Sequence, residues 1–184
     1  MRTLTDTIQL LKDVILDENC GRMNKSVVKG YLGELIVFQK LQNEGYEPKH
    51  FGNQSGVDIS VRDFKIDVKT SALKNDGNDD EIWGWALLRR DKPIKYDAAV
   101  CVALNKNLDV DAYYCIFGSK VSDFKCQDKR FTHVLNRFHK YPQPPDLNSS
   151  KKLIDAYEQS EQYIKDGTVI AVGPIAKLGE ILLK

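Results

Sequence analysis

Apolar residues fall at helical spacing over 5–17, where Ile8, Leu11, Val14 and Ile15 share one stripe and Thr3 or Thr5 can supply a capping hydroxyl. The stretch ENCGRMN breaks that stripe. A longer helix is predicted over 25–44, with Val27, Val28, Tyr31, Leu32, Leu35, Ile36, Phe38 and Leu41 as its apolar positions. Asn24 or Ser26 can cap its start, and Gly45 ends it. The period then shortens to two, and strands are predicted over 46–51, 57–61 and 64–70, the last two joined tightly through RDFK. KNDGNDDE, 74–81, reads as a polar loop. YDAAVCVAL (96–104) and AYYCIFG (112–118) are near-continuous apolar runs, as interior strands covered on both faces require. The polar stretch 118–140 predicts irregular chain with a short helix over 129–138. A surface loop at YPQPPDLNSS, a helix over 150–165 and an edge strand at TVIAVG close the chain. This order of elements gives the expected class: α/β, a mixed central sheet flanked by helices.

One stretch breaks the expected polarity. Side chains of a strand alternate between faces, so in FKIDVKTS the residues Phe64, Ile66, Val68 and Thr70 point one way and Lys65, Asp67, Lys69 and Ser71 the other. In the preceding strand Val57, Ile59 and Val61 take one face, Asp58 and Ser60 the opposite one. Paired as a hairpin, the two polar faces coincide and bring Asp58, Asp67 and Lys69 together. Two adjoining carboxylates stay ionised only where a cation joins them, and all-oxygen ligation with room for water suits Mg²⁺. A solvated hairpin would carry the same charges without consequence. The long apolar strands that follow argue instead for a place inside a sheet. Glu34 is the second anomaly, because it shares the helical stripe of Val27, Tyr31, Leu35, Phe38 and Leu41. A glutamate there is costly unless it is paired or reaches solvent at the boundary. Gly33 beside it permits a close helix–sheet approach.

The succession GELIVFQKLQNEGY, GVDISV and IDVKTS resembles the core of the PD-(D/E)xK nuclease superfamily, which includes restriction endonucleases and Holliday-junction resolvases. That family sets a glutamate on a helix, an aspartate on a strand and (D/E)-x-K on the next strand; the matching positions are Glu34, Asp58 and Asp67-Val68-Lys69. The resemblance covers about residues 25–75, with Val57 in place of the motif's proline and aspartate in place of the commoner glutamate at Asp67. It implies a restriction-endonuclease-like α/β/α core. It further implies a Mg²⁺-dependent endonuclease acting on DNA, with Mn²⁺ as the expected substitute. Asp58, Asp67, Glu34 and the Val68 carbonyl would hold metal, and Lys69 would orient the attacking water or stabilise the phosphate's developing charge. Ser71 and Lys65, on the same face, become candidates for phosphate contact, as do Arg89 and Arg90 in LLRRDKPIK.

The 184 residues suit one domain: an N-terminal helical segment (1–21), the catalytic core (25–118) and a recognition or structural elaboration (119–184). A net charge of +1 excludes a globally basic nucleic-acid binder, so DNA would have to be met by local basic stretches or by bound metal. Besides LLRRDKPIK, the basic stretch is 120–140, with Lys120, Lys125, Lys129, Arg130, Arg137 and Lys140, and with His133 and His139 as conditional charges. A solvated face accounts for both stretches equally well. Trp83 and Trp85 alternate on an expected strand as packing residues. Cys20, Cys101, Cys115 and Cys126 form no CxxC pair; Cys101 and Cys115 read as buried thiols of a reduced, cytoplasmic protein. The N-terminus is too polar for a signal peptide, and no apolar run approaches the ~18 residues of a membrane span. Cleavage of both strands of a duplex with one centre per chain implies a homodimer. The alternatives within reach of the sequence are a structure-specific nuclease and a DNA-binding domain without activity on the same fold.

Overall fold

Helix α1, Leu4–Leu16, opens with a reciprocal cap: the Asp6 amide donates to Thr3 Oγ1 at 3.1 Å and the Thr3 amide donates to Asp6 Oδ2 at 2.8 Å. Helix α2, Arg22–Asn43, begins earlier than the expected cap at Asn24 or Ser26, with Gly21 as its N-cap, and ends as expected at Gly45, which has φ of +87°. The computed structural model describes residues 3–17, 19, 21–52, 56–75, 81–89, 93–124, 135–146 and 149–184. The strands are β1 (Pro48–His50), β2 (Ile59–Val61), β3 (Phe64–Ala72), β4 (Lys74–Asn75), β5 (Glu81–Arg89), β6 (Ala98–Leu104), β7 (Val110–Phe117), β8 (Leu135–Lys140) and β9 (Ile170–Val172). Helix α3, Lys151–Lys165, starts at the cap Ser150, and α4 covers Leu178–Leu182.

Six strands form the main sheet in the order β1-β2-β3-β6-β7-β9. Among the described residues only β3 and β6 run parallel, with Asp67 opposite Ala99 and Lys69 opposite Cys101. The crossover a parallel pair demands is commonly a helix; here it carries β4 and β5, which join β8 in a separate three-stranded sheet. The expected short helix over 129–138 is therefore corrected: 135–140 is strand, recruited by β5, and 129–134 lies outside the described residues.

Each face of the main sheet has its own core. On one, Ile66, Val68, Val100 and Val102 pack with Leu32, Leu35, Val37 and Leu41 of α2. Gly33 permits that contact, since a Cβ there would lie 1.7 Å from Thr70 Oγ1. On the other, the small side chains Ala99, Cys101 and Ala103 leave room for Trp83, Trp85, Leu87 and Phe138 of the second sheet. Trp85 stacks on Phe138 at 5.4 Å, and the two indole N–H groups donate to Leu104 O at 2.8 Å and Val102 O at 3.2 Å. An indole removes about 150–250 Å² from water, worth about 4–6 kcal/mol each, so this pair clamps the second sheet to β6. Cys101 and Cys115 are buried free thiols, as expected; Cys20 and Cys126 lie outside the described residues. The result is an α/β protein with a mixed sheet flanked by helices. Among the described residues, no helix is long and apolar enough to cross a membrane.

Candidate active site

The hairpin of β2 and β3 is closed by the two-residue turn Arg62–Asp63, with Val61 opposite Phe64 and Arg62 at φ of +53°. That left-handed conformation costs a side-chain-bearing residue about 1–2 kcal/mol. At its other end the ladder is interrupted. Ile59 pairs with Ile66, yet the Asp58 amide also donates to Ile66 O, at 2.9 Å. Two residues of one strand thus address one of the other, the arrangement of a β-bulge, which re-aims a side chain. Asp58 does not simply share a face with Asp67. Its Oδ2 accepts the Val68 amide at 2.7 Å, in the place where a backbone carbonyl would sit had β2 continued. The Val68 carbonyl leaves the strand on the same side as its amide and so faces the same gap.

Asp67 is almost sealed, at 4% exposure. Lys69 Nζ stands 2.7 Å from both carboxylate oxygens, but its hydrogen-bond geometry serves Oδ1 and leaves Oδ2 buried without a hydrogen bond. Burial pushes the Asp67 carboxyl up to about 6, against the opposing pull of Lys69 and with further upward pressure from Asp58 and Glu34. Glu34 also lies above the ordinary carboxylate range, first through desolvation. Asp58 raises it as well, while Lys69 and His50 lower it. The four residues named by the sequence therefore occupy one electrostatic neighbourhood, entered by α2 on one side and β3 on the other. They do not form a ready cage: among the described residues no group of three or more His, Cys, Asp or Glu side chains gathers closely enough to hold a metal ion.

His50 is a site residue that sequence reasoning passed over. Its Nε2 lies 2.7 Å from Glu34 Oε2, and its ring is framed by Tyr31 at 5.6 Å and Phe38 at 6.3 Å. A single histidine at the end of a three-residue strand carries no periodic signal. Its meaning appears only once β1 is paired to β2, with His50 opposite Ile59.

The substrate-contact candidates separate. Lys65 is exposed beside the turn, available to an incoming anion. Ser71 is corrected: it is 5% exposed beneath the second sheet, where its Oγ accepts the Gly84 amide at 3.1 Å, so its hydroxyl holds β3 to β5. Arg89 ends β5, and Arg90 lies outside the described residues. Of the 120–140 basic stretch, Lys125, Lys129, Arg130 and His133 also lie outside them. Lys140 is committed to Glu161 at 2.5 Å. Arg137 and His139 share a face of β8 opposite Ala86 and Gly84, and Lys74 stands across β5 opposite Ile82. Lys29 of α2 completes this group: burial and then Lys74 depress it, and burial followed by Arg137 and Lys74 drives His139 down to about 4.

No family model and no curated protein matches this chain. Among solved structures it is similar to the bacterial homing endonuclease I-Ssp6803I, with a TM-score of 0.42 and 14% identity over 76% of this chain and 91% of that one.

Proposed function

We propose that the protein is a Mg²⁺-dependent endonuclease that hydrolyses DNA phosphodiester bonds, of restriction-endonuclease type and acting as a homodimer. The observation that carries this reading is the Asp67–Lys69 pair beside the re-aimed Asp58. An aspartate is buried against a lysine that ion-pairs with it, and one of its oxygens makes no hydrogen bond. The donor set fits magnesium. Asp67 Oδ2, the free edge of Asp58 and the Val68 carbonyl are hard oxygens, and Mg²⁺ needs only one or two carboxylates because it keeps several waters. Glu34, held by His50, would take a place in the outer sphere. Bound there, the ion neutralises phosphate charge and acidifies a water.

The chain's own groups do the rest. Lys69, now paired with Asp67, would turn its ammonium to the phosphate oxygens or the attacking water. In the hydrolysis a water oxygen forms the new P–O bond, the bond to the leaving oxygen breaks, and that oxygen takes up a proton. Glu34 restrains His50 and adds negative charge near Lys69. Arg137, Lys74 and Lys29 supply a phosphate-backbone footing away from the reacting bond.

The test is incubation of the protein with supercoiled plasmid, linear duplex and a four-way junction, with Mg²⁺ and with EDTA, alongside Asp67→Asn. Cleavage that needs Mg²⁺ and vanishes in Asp67→Asn is expected. Cleavage that persists in the variant removes Asp67 from the chemistry, and inert substrates throughout leave the fold as a binding module.

A further inference from the structure

A groove of about 910 Å³ opens next to the acids, bounded by Val57 on the residue before Asp58 and by Lys65 two positions before Asp67. Arg62, Lys65 and Lys95 bring three cations to its wall, against Asp63 and Asp97. Asp97 is partly engaged already, because its Oδ2 accepts the Lys65 amide at 2.7 Å. Two aromatic rings complete the lining. Phe51 is 42% exposed, which is unusual for a ring with a core nearby. Tyr96 is fixed in place by its hydroxyl, which donates to Leu87 O at 3.0 Å, so its ring is presented without further ordering. Arg62, a lining residue, sits in the left-handed turn, an outlier of backbone beside the groove.

We propose that this groove seats a single-stranded segment of DNA, whose phosphates meet Arg62, Lys65 and Lys95 and whose bases lie against Phe51 and Tyr96. The inference rests on the nuclease reading of the neighbouring acids and goes beyond it: the groove holds an unpaired strand beside the duplex that is cut. The volume lies in the range of about 300–1,000 Å³ that suits small ligands. Cations together with aromatic rings in one groove are the residue types by which proteins hold unpaired strands without reading sequence. A strand end, a branch or a locally opened duplex would then be delivered to Asp58 and Asp67.

The experiment measures binding without cleavage. Fluorescence anisotropy in EDTA compares a labelled single-stranded tetranucleotide with a blunt duplex, and a duplex carrying a single-stranded branch with one lacking it. The wild type is expected to bind the tetranucleotide and to prefer the branched duplex. Phe51→Ala should weaken tetranucleotide binding about five-fold or more. Arg62→Ala with Lys95→Ala should weaken it further and flatten its salt dependence. These side chains are exposed, so unchanged thermal melting is the expected control. Absence of tetranucleotide binding, or binding indifferent to all three substitutions, overturns the proposal. Because no metal or turnover is involved, this outcome is separate from that of the Mg²⁺ cleavage assay: strand binding without cleavage would spare the groove and sink the nuclease, and the reverse result would do the opposite.

Discussion

Two glycines of α2, one turn apart, are expected to respond to alanine with opposite signs. At Gly30 an added methyl would meet nothing within 4 Å, whereas a Cβ at Gly33 falls 1.7 Å from Thr70 Oγ1 and 2.9 Å from Thr70 Cβ. In a helix interior, alanine exceeds glycine by about 0.8–1.0 kcal/mol. Gly30→Ala should collect that gain, raising Tm by about 2–4 °C for a chain of this size. Gly33→Ala collects the same gain but must open the helix–strand contact by more than 1 Å to reach even the 3.0 Å that real Cβ contacts rarely undercut. Overpacking costs about 1–3 kcal/mol and occasionally more, and the clash with the Thr70 Cβ cannot be relieved by rotating its hydroxyl. The net expectation is a loss of up to about 2 kcal/mol and a Tm lower by up to about 8 °C. Thr70 Oγ1 is buried without a hydrogen bond, so Thr70→Ala forfeits no such bond and should restore much of the loss in the double variant. The assay is thermal melting by circular dichroism of the four variants at one pH, with Mg²⁺-dependent plasmid cleavage measured in parallel. Glu34 follows Gly33 directly, so a displaced helix should also lower cleavage, while Gly30→Ala leaves it intact. If Gly33→Ala melts at or above the wild type, the close approach is not tight and the placement of Glu34 loses its mechanical basis.

Lys69→Ala should reduce cleavage at least about a hundred-fold while DNA binding in Ca²⁺ is largely kept, because phosphate contacts elsewhere supply most of the affinity; normal turnover would reduce this lysine to a surface charge. His50→Ala removes the partner 2.7 Å from Glu34 and should raise the Mg²⁺ concentration needed for half-maximal cleavage, with His50→Gln rescuing in part; equal Mg²⁺ profiles would confine His50 to packing. His139 sits at about 4 against an ordinary 6.5, so the folded protein binds fewer protons than the unfolded chain across that window. Stability should therefore fall as pH drops from about 6.5 towards 4, and His139→Asn should be less sensitive there; urea melts at about pH 7.5 and 4.5 compare the two, and parallel losses would refute the burial of a neutral imidazole.

The elements with strong local patterns were legible from the chain alone. The alternation of FKIDVKTS set Asp67 and Lys69 on one face of β3, and the apolar runs became the interior strands β6 and β7. What escaped was non-local. LNRFHK is a strand because Trp85 and Phe138 stack across to β5, a partner about fifty residues earlier, and nothing within that short segment demands it. Ser71 looked like a phosphate contact because alternation names a face but not what covers it; the Gly84 amide that engages its hydroxyl arrives from the crossover. The bulge at Asp58 was equally hidden, since alternation assumes an unbroken ladder, and so the shift of Asp58 from face to edge had no sequence signature.

That shift leaves one amide in an unusual position. The Val68 N–H is held by a carboxylate at 2.7 Å where its strand neighbours are held by peptide groups. Its chemical shift and its exchange with deuterated water thus report directly on whether the Asp58 side chain stays home. Any cation or substrate that draws Asp58 outward loosens this proton, and any that pins Asp58 slows its exchange, so a single backbone resonance serves as an indicator of occupancy at a centre with no chromophore of its own. The same device makes the end of the hairpin conditional: the strands are stitched by the main chain up to the Asp58 amide and beyond it by the Asp58 side chain.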